Sequence, residues 1–182
     1  MFEPIKHKTC LKEVASDILH TPLLEPSFCQ VLFDFAKTFD NWSSNREDRY
    51  YSTHDCHLQK ESPAFYEIIS DALDELVFPK VADFWDVNPF EVSDMFIVKY
   101  SQDTQTNLSY HHDESFISAS IKLNDNYSGG VLNFPHKNYD NSKVEVGDII
   151  LWPSQVTHLH GSSSLTEGEK YSLTIWTKQC TR

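Results

Sequence analysis

Disulfide and zinc chemistry have little to work with in this chain. Its four cysteines, Cys10, Cys29, Cys56 and Cys180, are scattered without a Cys-x-x-Cys pair, so neither a zinc knuckle nor a disulfide scaffold is expected and the thiols read as reduced. Basic charge is scarce too. Against 27 acidic residues stand 15 lysines and arginines, a formal net charge of −12, which opposes the counterion-releasing contacts that phosphate backbones require and excludes nucleic acid as the expected partner. No apolar run approaches the ~20 residues of a membrane span, and Met1-Phe-Glu-Pro-Ile-Lys-His-Lys lacks the apolar centre of a secretory leader. A cytoplasmic protein with no membrane association is therefore expected, and the sequons at Asn41, Asn107 and Asn126 read as chance matches. No repeat, low-complexity run or linker divides the 182 residues, a length that suits one core. We expect a single domain over 1–182, with residues 1–90 as helical support and substrate-side region and 91–180 as a β core. Nothing in the sequence speaks to the oligomeric state.

What is present changes character near Pro89. Residues 1–24 read as irregular with a short helix near Leu11–Ile18. Pro26 then sits where a first helical turn accepts proline, and Phe28, Val31, Leu32, Phe35 and Phe39 follow at helical spacing, predicting an amphipathic helix over Pro26–Thr38. Asn41–Lys60, with Arg49, Tyr50, Tyr51, His54 and His57, reads as a loop leading into a short strand. Ser62-Pro63 opens a second helix carrying Ile68, Ile69, Leu73, Leu76 and Val77, with Pro79 as its end marker and a shorter helical piece over Val81–Trp85. After Pro89 the period becomes 2. Met95–Tyr100, Leu108–Asp113, Phe116–Asn124, Val131–Phe134, Lys143–Val146, Asp148–Trp152, Val156–His160 and Lys170–Lys178 are strand candidates punctuated by glycine and proline. Helices followed by about eight short strands predict a mainly β, α+β fold: a double-stranded β-helix (jelly-roll) barrel with the helices packed on one sheet.

Two of these strands are inverted in an informative way. One face of Phe116–Leu123 carries Ile117, Ala119, Ile121 and Leu123, the other Ser118, Ser120 and Lys122; Lys170–Trp176 likewise sets Tyr171, Leu173 and Ile175 against Lys170, Ser172, Thr174 and Trp176. If the apolar faces meet the helices, the polar faces line the barrel, as a ligand cavity requires and a filled core does not. Alternation alone leaves open the opposite reading, an open sheet with its polar face in solvent.

The chemistry concentrates in Leu108-Ser-Tyr-His-His-Asp-Glu-Ser115. On a strand His111 and Asp113 share a face and His112 points away. One imidazole and one carboxylate are two members of the 2-His-1-carboxylate facial triad of non-haem Fe(II) oxygenases, whose open positions accept further ligands. The third ligand is His158 or His160, which parity cannot separate. Lys170 opens the last strand on the polar face, where an ammonium can pair with a carboxylate. The run His54-Asp-Cys-His57 is set aside as a metal cluster, since adjacent residues of a strand diverge.

His111-x-Asp113, a distal histidine and a basic residue ten positions beyond His160 resemble the Fe(II)- and 2-oxoglutarate-dependent dioxygenases of the prolyl 4-hydroxylase type. Phe96-Ile-Val-Lys-Tyr100, His-His-Asp-Glu-Ser, Leu123-Asn124, Tyr127-Ser-Gly-Gly130 and Thr157-His-Leu-His-Gly161 look most like the procollagen lysyl hydroxylase catalytic domain, over about Asp94–Lys178. The resemblance implies iron ligation by His111, Asp113 and His160. It implies Lys170 on the distal carboxylate of 2-oxoglutarate, where lysyl hydroxylases use arginine, and Tyr100 beside the cosubstrate. Fe(II), 2-oxoglutarate and O2 are the implied cofactors, with stimulation by ascorbate, and Asp113 makes hydroxylation the expected outcome, because related halogenases lack that carboxylate. Lys122 departs from the pattern, which commonly has tyrosine there. The implied substrate is a peptidyl lysine or proline; the competing expectations are a free amino acid or other small molecule, and a cupin-like module holding a metal without turnover.

Overall fold

The shift of period at Pro89 corresponds to a shift of layer. The computed structural model describes residues 3–6, 9–43 and 53–180. Its first elements are strands β1 (Lys12–Ala15) and β2 (Ile18–Pro22), an antiparallel hairpin, where the sequence predicts irregular chain and a short helix. Tertiary pairing overrides the local helical preference here: Asp17 turns the chain at φ 58°, and β2 then pairs along Asp148–Leu151 with Leu19 opposite Leu151. Helix α1 (Pro26–Thr38) matches its predicted bounds, with proline in the first turn and Phe28, Cys29, Leu32 and Ala36 buried. Of the segment Asn41–Lys60, residues 44–52, Arg49, Tyr50 and Tyr51 among them, lie outside the described residues; the remainder enters β3 (His54–His57) and a single turn, α2 (Leu58–Glu61). Helix α3 (Pro63–Leu76) follows, then α4 (Phe78–Trp85). Pro79 does not end a helix. It stands in the first turn of α4, where a missing N–H costs nothing.

The β region runs β4 (Phe90–Tyr100), β5 (Leu108–His111), β6 (Ile117–Lys122), β7 (Ser128–Gly129), β8 (Leu132–Phe134), β9 (Tyr139–Asp140), β10 (Asp148–Pro153), β11 (His160–Ser162), β12 (Leu165–Glu167) and β13 (Lys170–Gln179). Two sheets form the jelly roll, a seven-stranded one ordered β1-β2-β10-β6-β13-β4-β3 and a four-stranded one ordered β5-β11-β8-β9, with β12 and β7 as a separate pair. Neither Lys143–Val146 nor, before His160, the predicted Val156–His160 forms a strand. The first is a turn closed by Gly147 at φ 87°, and the second is irregular chain that reaches β11 only at His160.

The inverted strands resolve in favour of a polar interior. Ile117, Ala119, Ile121 and Leu123 of β6, with Tyr171, Leu173 and Ile175 of β13, share one core with Phe28, Leu32, Ile69, Leu73 and Val81 of the helices, each fully buried aliphatic or aromatic side chain contributing roughly 1.5–3 kcal/mol. Strand β4 obeys the same parity, sending Met95 and Ile97 to the helices and Phe96, Val98 and Tyr100 to the other side. That other side is a cavity between the sheets, where Ser120, Lys170, Ser172, Thr174 and Trp176 form part of the lining. Among the described residues no helix is long and apolar enough to cross a membrane.

Candidate metal centre

Register brings the two histidines together. His111, at the end of β5, lies directly opposite His160, at the start of β11, and their ring centroids stand 4.4 Å apart. Asp113 arrives from just beyond β5, not from within it as the predicted strand Leu108–Asp113 has it, and is 7% exposed. Its Oδ1 is 3.2 Å from His111 Nε2 and its Oδ2 3.4 Å from His160 Nε2. Among the described residues this is the group whose donor atoms converge within ion-binding distance, all within 4.8 Å of one another.

Each histidine is oriented from behind. His111 Nδ1 is 2.8 Å from the Ser109 carbonyl oxygen and His160 Nδ1 2.9 Å from that of His158, so each Nδ1 carries the proton and donates it. A neutral ring then presents a lone pair at Nε2. Two ring acceptors at 3.2 and 3.4 Å from the carboxylate oxygens repel them unless positive charge lies among the three groups, in the form of imidazolium protons or a cation replacing them. Burial alone would raise the Asp113 carboxyl, but hydrogen bonds involving His111, His160 and Ser118 outweigh it and hold the group well below the usual carboxylate range. Two imidazoles and one ionised carboxylate on one side suit Fe(II), with positions left open for other ligands.

The carboxylate has its own support, which sequence reasoning missed. Ser118 Oγ donates to Asp113 Oδ2 at 2.6 Å, and Ser154 Oγ donates to Ser118 Oγ at 2.7 Å, all three side chains being buried. The available signal was the hydroxyl of Ser118 in the polar row Ser118, Ser120 and Lys122 of its strand. Outer partners of this kind orient the ligands they touch. Ser118→Ala is accordingly expected to weaken metal affinity by about 10–100-fold in competition with a chromophoric chelator, and an unchanged affinity would remove Ser118 from this role.

His158 is excluded as a ligand by where it points. It is 1% exposed, with Nδ1 2.8 Å from Thr157 Oγ1 and Nε2 3.2 Å from the Ser16 carbonyl oxygen, and burial lowers its pKa. It thus ties the β1–β2 turn to the barrel. His112 is exposed. His54, Asp55, Cys56 and His57 diverge: Cys56 joins the helix-side core, Asp55 accepts from Thr53 Oγ1 at 2.8 Å, and His57 pairs with Asp94 at 3.0 Å.

His111, Asp113, His160 and Lys170 line one cavity. Lys170 is 4% exposed. Its Nζ donates to the Gly130 carbonyl oxygen at 2.7 Å and Ser162 Oγ at 3.3 Å, and lies 4.5 Å from the centre of the Tyr100 ring. These partners are neutral, and no ion pair of Lys170 occurs among the described residues. Burial, and then the nearby Lys122 charge, push its pKa down to about 7. Burial and then the Asp55 charge push the Tyr100 phenol up, so Tyr100 stays a neutral hydroxyl. A buried ammonium without a counter-ion is costly unless an anionic ligand supplies one; a dicarboxylate with one end at Lys170 and the other toward His111 and His160 fits these donors. Lys122 does not line this cavity. It lies at the edge of the barrel, its Nζ 3.1 Å from the Val144 carbonyl oxygen.

Comparison with known proteins agrees with this geometry. A sequence profile described as 2OG-Fe(II) oxygenase superfamily matches residues 95–178. A multifunctional procollagen lysine hydroxylase and glycosyltransferase of Caenorhabditis elegans is 30% identical over 173 residues, covering 87% of this chain and 23% of that protein. The chain therefore spans under a quarter of the length of this curated relative. Among solved structures, a Pseudomonas putida prolyl-4-hydroxylase superposes with a TM-score of 0.67 at 16% identity, covering 91% of this chain and 94% of the other. A viral collagen prolyl hydroxylase from Paramecium Bursaria Chlorella virus-1, in complex with 2OG, gives 0.59 at 16% identity, covering 87% and 92%. At these identities the two structures show the fold.

Proposed function

We propose that the chain is an Fe(II)- and 2-oxoglutarate-dependent dioxygenase that hydroxylates an unactivated C–H bond of a peptidyl lysine or proline, a reading supported by the match of residues 95–178 to the 2OG-Fe(II) oxygenase superfamily profile. The observation that carries the reading is the shared cavity, with three converging donors at one place and a buried ammonium lacking a counter-ion at another. A metal-storage module has no use for the second of these.

Bound Fe(II) and 2-oxoglutarate supply oxidative decarboxylation of the cosubstrate to succinate and CO2, coupled to activation of O2 for hydroxylation. The chain's residues do the rest. His111, Asp113 and His160 hold the metal, their orientation fixed by the two carbonyl acceptors and Ser118. Lys170 pairs with the distal carboxylate of the cosubstrate, and the Tyr100 ring packs against that ammonium, a cation–π contact that strengthens on desolvation. Phe96, Val98 and Trp176 supply the apolar wall, which limits water access to the reacting centre. The net negative charge favours basic peptides.

Under Fe(II), 2-oxoglutarate and air, succinate is expected to appear, with mass spectrometry of peptide libraries finding a gain of one oxygen on lysine or proline. Oxygen gain on free amino acids alone would sink the peptidyl version and leave the oxygenase reading standing; no succinate under any condition would sink both.

A further inference from the structure

Lys122 is the residue for which the proposed reaction has no assigned use. It belongs to the inward-facing row Ser118, Ser120, Lys122 of β6, and in the sheet it stands opposite Ser172, two residues along β13 from Lys170. Its Nζ turns away from the cavity to the Val144 carbonyl oxygen and lies 6.0 Å from the centre of the Tyr127 ring. Gly130, whose carbonyl holds Lys170, is wedged between the two: a Cβ there would meet Lys170 Cδ at 3.1 Å and Tyr127 Cε2 at 3.8 Å. Tyr127 thus lies beside Lys122 and is separated from the Lys170 stem by Gly130.

We propose that Lys122 is a positioning residue of the cosubstrate site, acting through Lys170 so that binding of a dicarboxylate requires uptake of one proton at Lys170 Nζ. The inference rests on the oxygenase reading of the cavity. Two ammonium groups at this end of the barrel repel one another in a medium of low dielectric. Lys122 is half-buried and can be hydrated, whereas Lys170 is buried, so Lys170 is the group that gives up its proton in the empty site. Other titratable or charged groups around Lys170 are Tyr100 from β4, Tyr127 from the β6–β7 connection, Asp55 from β3 beside Val98, and Asp113 with the two histidines at the metal centre; no carboxylate ion pair neutralises Lys170 among the described residues. When the ligand's carboxylate arrives, the Nζ lone pair takes a proton from the buffer. One N–H bond forms and no other covalent bond changes. The lowered pKa of free Lys170, near neutrality, places this uptake at and above pH 7.

The first test needs no metal. In protein carrying isotope-labelled lysine, NMR titration of the Nζ resonances, with Lys170 assigned by its loss in Lys170→Met, is expected to show Lys170 titrating far below the surface lysines. Lys122→Met should move that midpoint up, and Lys122→Arg, which keeps the charge, should leave it in place. The second test is calorimetry of 2-oxoglutarate with the Mn(II)-loaded protein in buffers of different ionisation enthalpy. The wild type is expected to take up about one proton at pH 8 and to lose affinity about tenfold per pH unit above the midpoint, with Lys122→Met taking up less. Lys170 titrating with the surface lysines, a midpoint unmoved by Lys122→Met, or binding without proton uptake overturns the proposal alone. Absence of any 2-oxoglutarate binding overturns the oxygenase reading and the proposal together.

Discussion

Asp113→Ala is expected to abolish succinate release and to lower Fe(II) affinity by more than the ~10–100-fold that loss of an outer-shell partner costs. Asp113 supplies the only anionic donor in a set of three, and it is the member that sees both histidines, at 3.2 and 3.4 Å. Without it the site offers two neutral nitrogens to a divalent cation and no charge to balance it. Ser118, which now donates to the carboxylate while accepting from Ser154, would be left with a buried hydroxyl facing the gap, a cost of about 1–3 kcal/mol for an unsatisfied group. Elemental analysis after dialysis separates this from unfolding: the variant should keep its fold by circular dichroism while its iron content falls toward that of a His111→Ala, His160→Ala double variant. Turnover unchanged in Asp113→Ala would end the oxygenase reading.

The parts of the fold and site that were legible in the sequence are those governed by a period or a register. Helix α1 announces itself by a proline in its first turn and apolar residues three and four apart, and the polar rows of β6 and β13 report a cavity because the opposite rows report helices. Where local preference competes with a distant partner, the sequence misleads. Leu11–Ile18 reads as a short helix, yet pairing with β10 makes Lys12–Pro22 a hairpin. Lys143–Val146 alternates like a strand, but no neighbouring strand takes it as a partner and Gly147 turns the chain. His158 and His160 have equal parity, and only the three-dimensional path before β11 sends one to Ser16 and the other to Asp113. Ser154 carries no sequence signal at all, because its value depends on the register that sets Trp152 opposite Ser118.

Lys170→Met is expected to move function and stability in opposite directions. Truncating one side of a buried charge–charge contact costs about 2–5 kcal/mol, so 2-oxoglutarate affinity should fall roughly 30- to 5,000-fold. Metal content should not change, because Lys170 touches none of the three metal donors through a hydrogen bond; its partners are Gly130 and Ser162. Stability should rise, since methionine has similar length, keeps the apolar contacts and removes a buried ammonium that lacks a counter-ion; a gain of about 1 kcal/mol or more follows, or about 2–4 °C in Tm per kcal/mol for a chain of this size. The pH dependence fixes the sign. Lys170 has its pKa pushed down to about 7 in the folded chain, against about 10.4 when unfolded. Between these values the unfolded state binds more protons, so in the wild type this residue makes stability rise with pH across that window, and below it the full cost of the buried charge is felt. The advantage of the methionine variant should therefore be largest below pH 7 and shrink toward pH 10. Thermal melts across that range, beside calorimetry of 2-oxoglutarate binding to the Mn(II)-loaded proteins, read both effects. A methionine variant that binds 2-oxoglutarate as well as the wild type would remove Lys170 from the cosubstrate site, and one that melts lower at every pH would show that the ammonium holds the barrel together instead of waiting for a ligand.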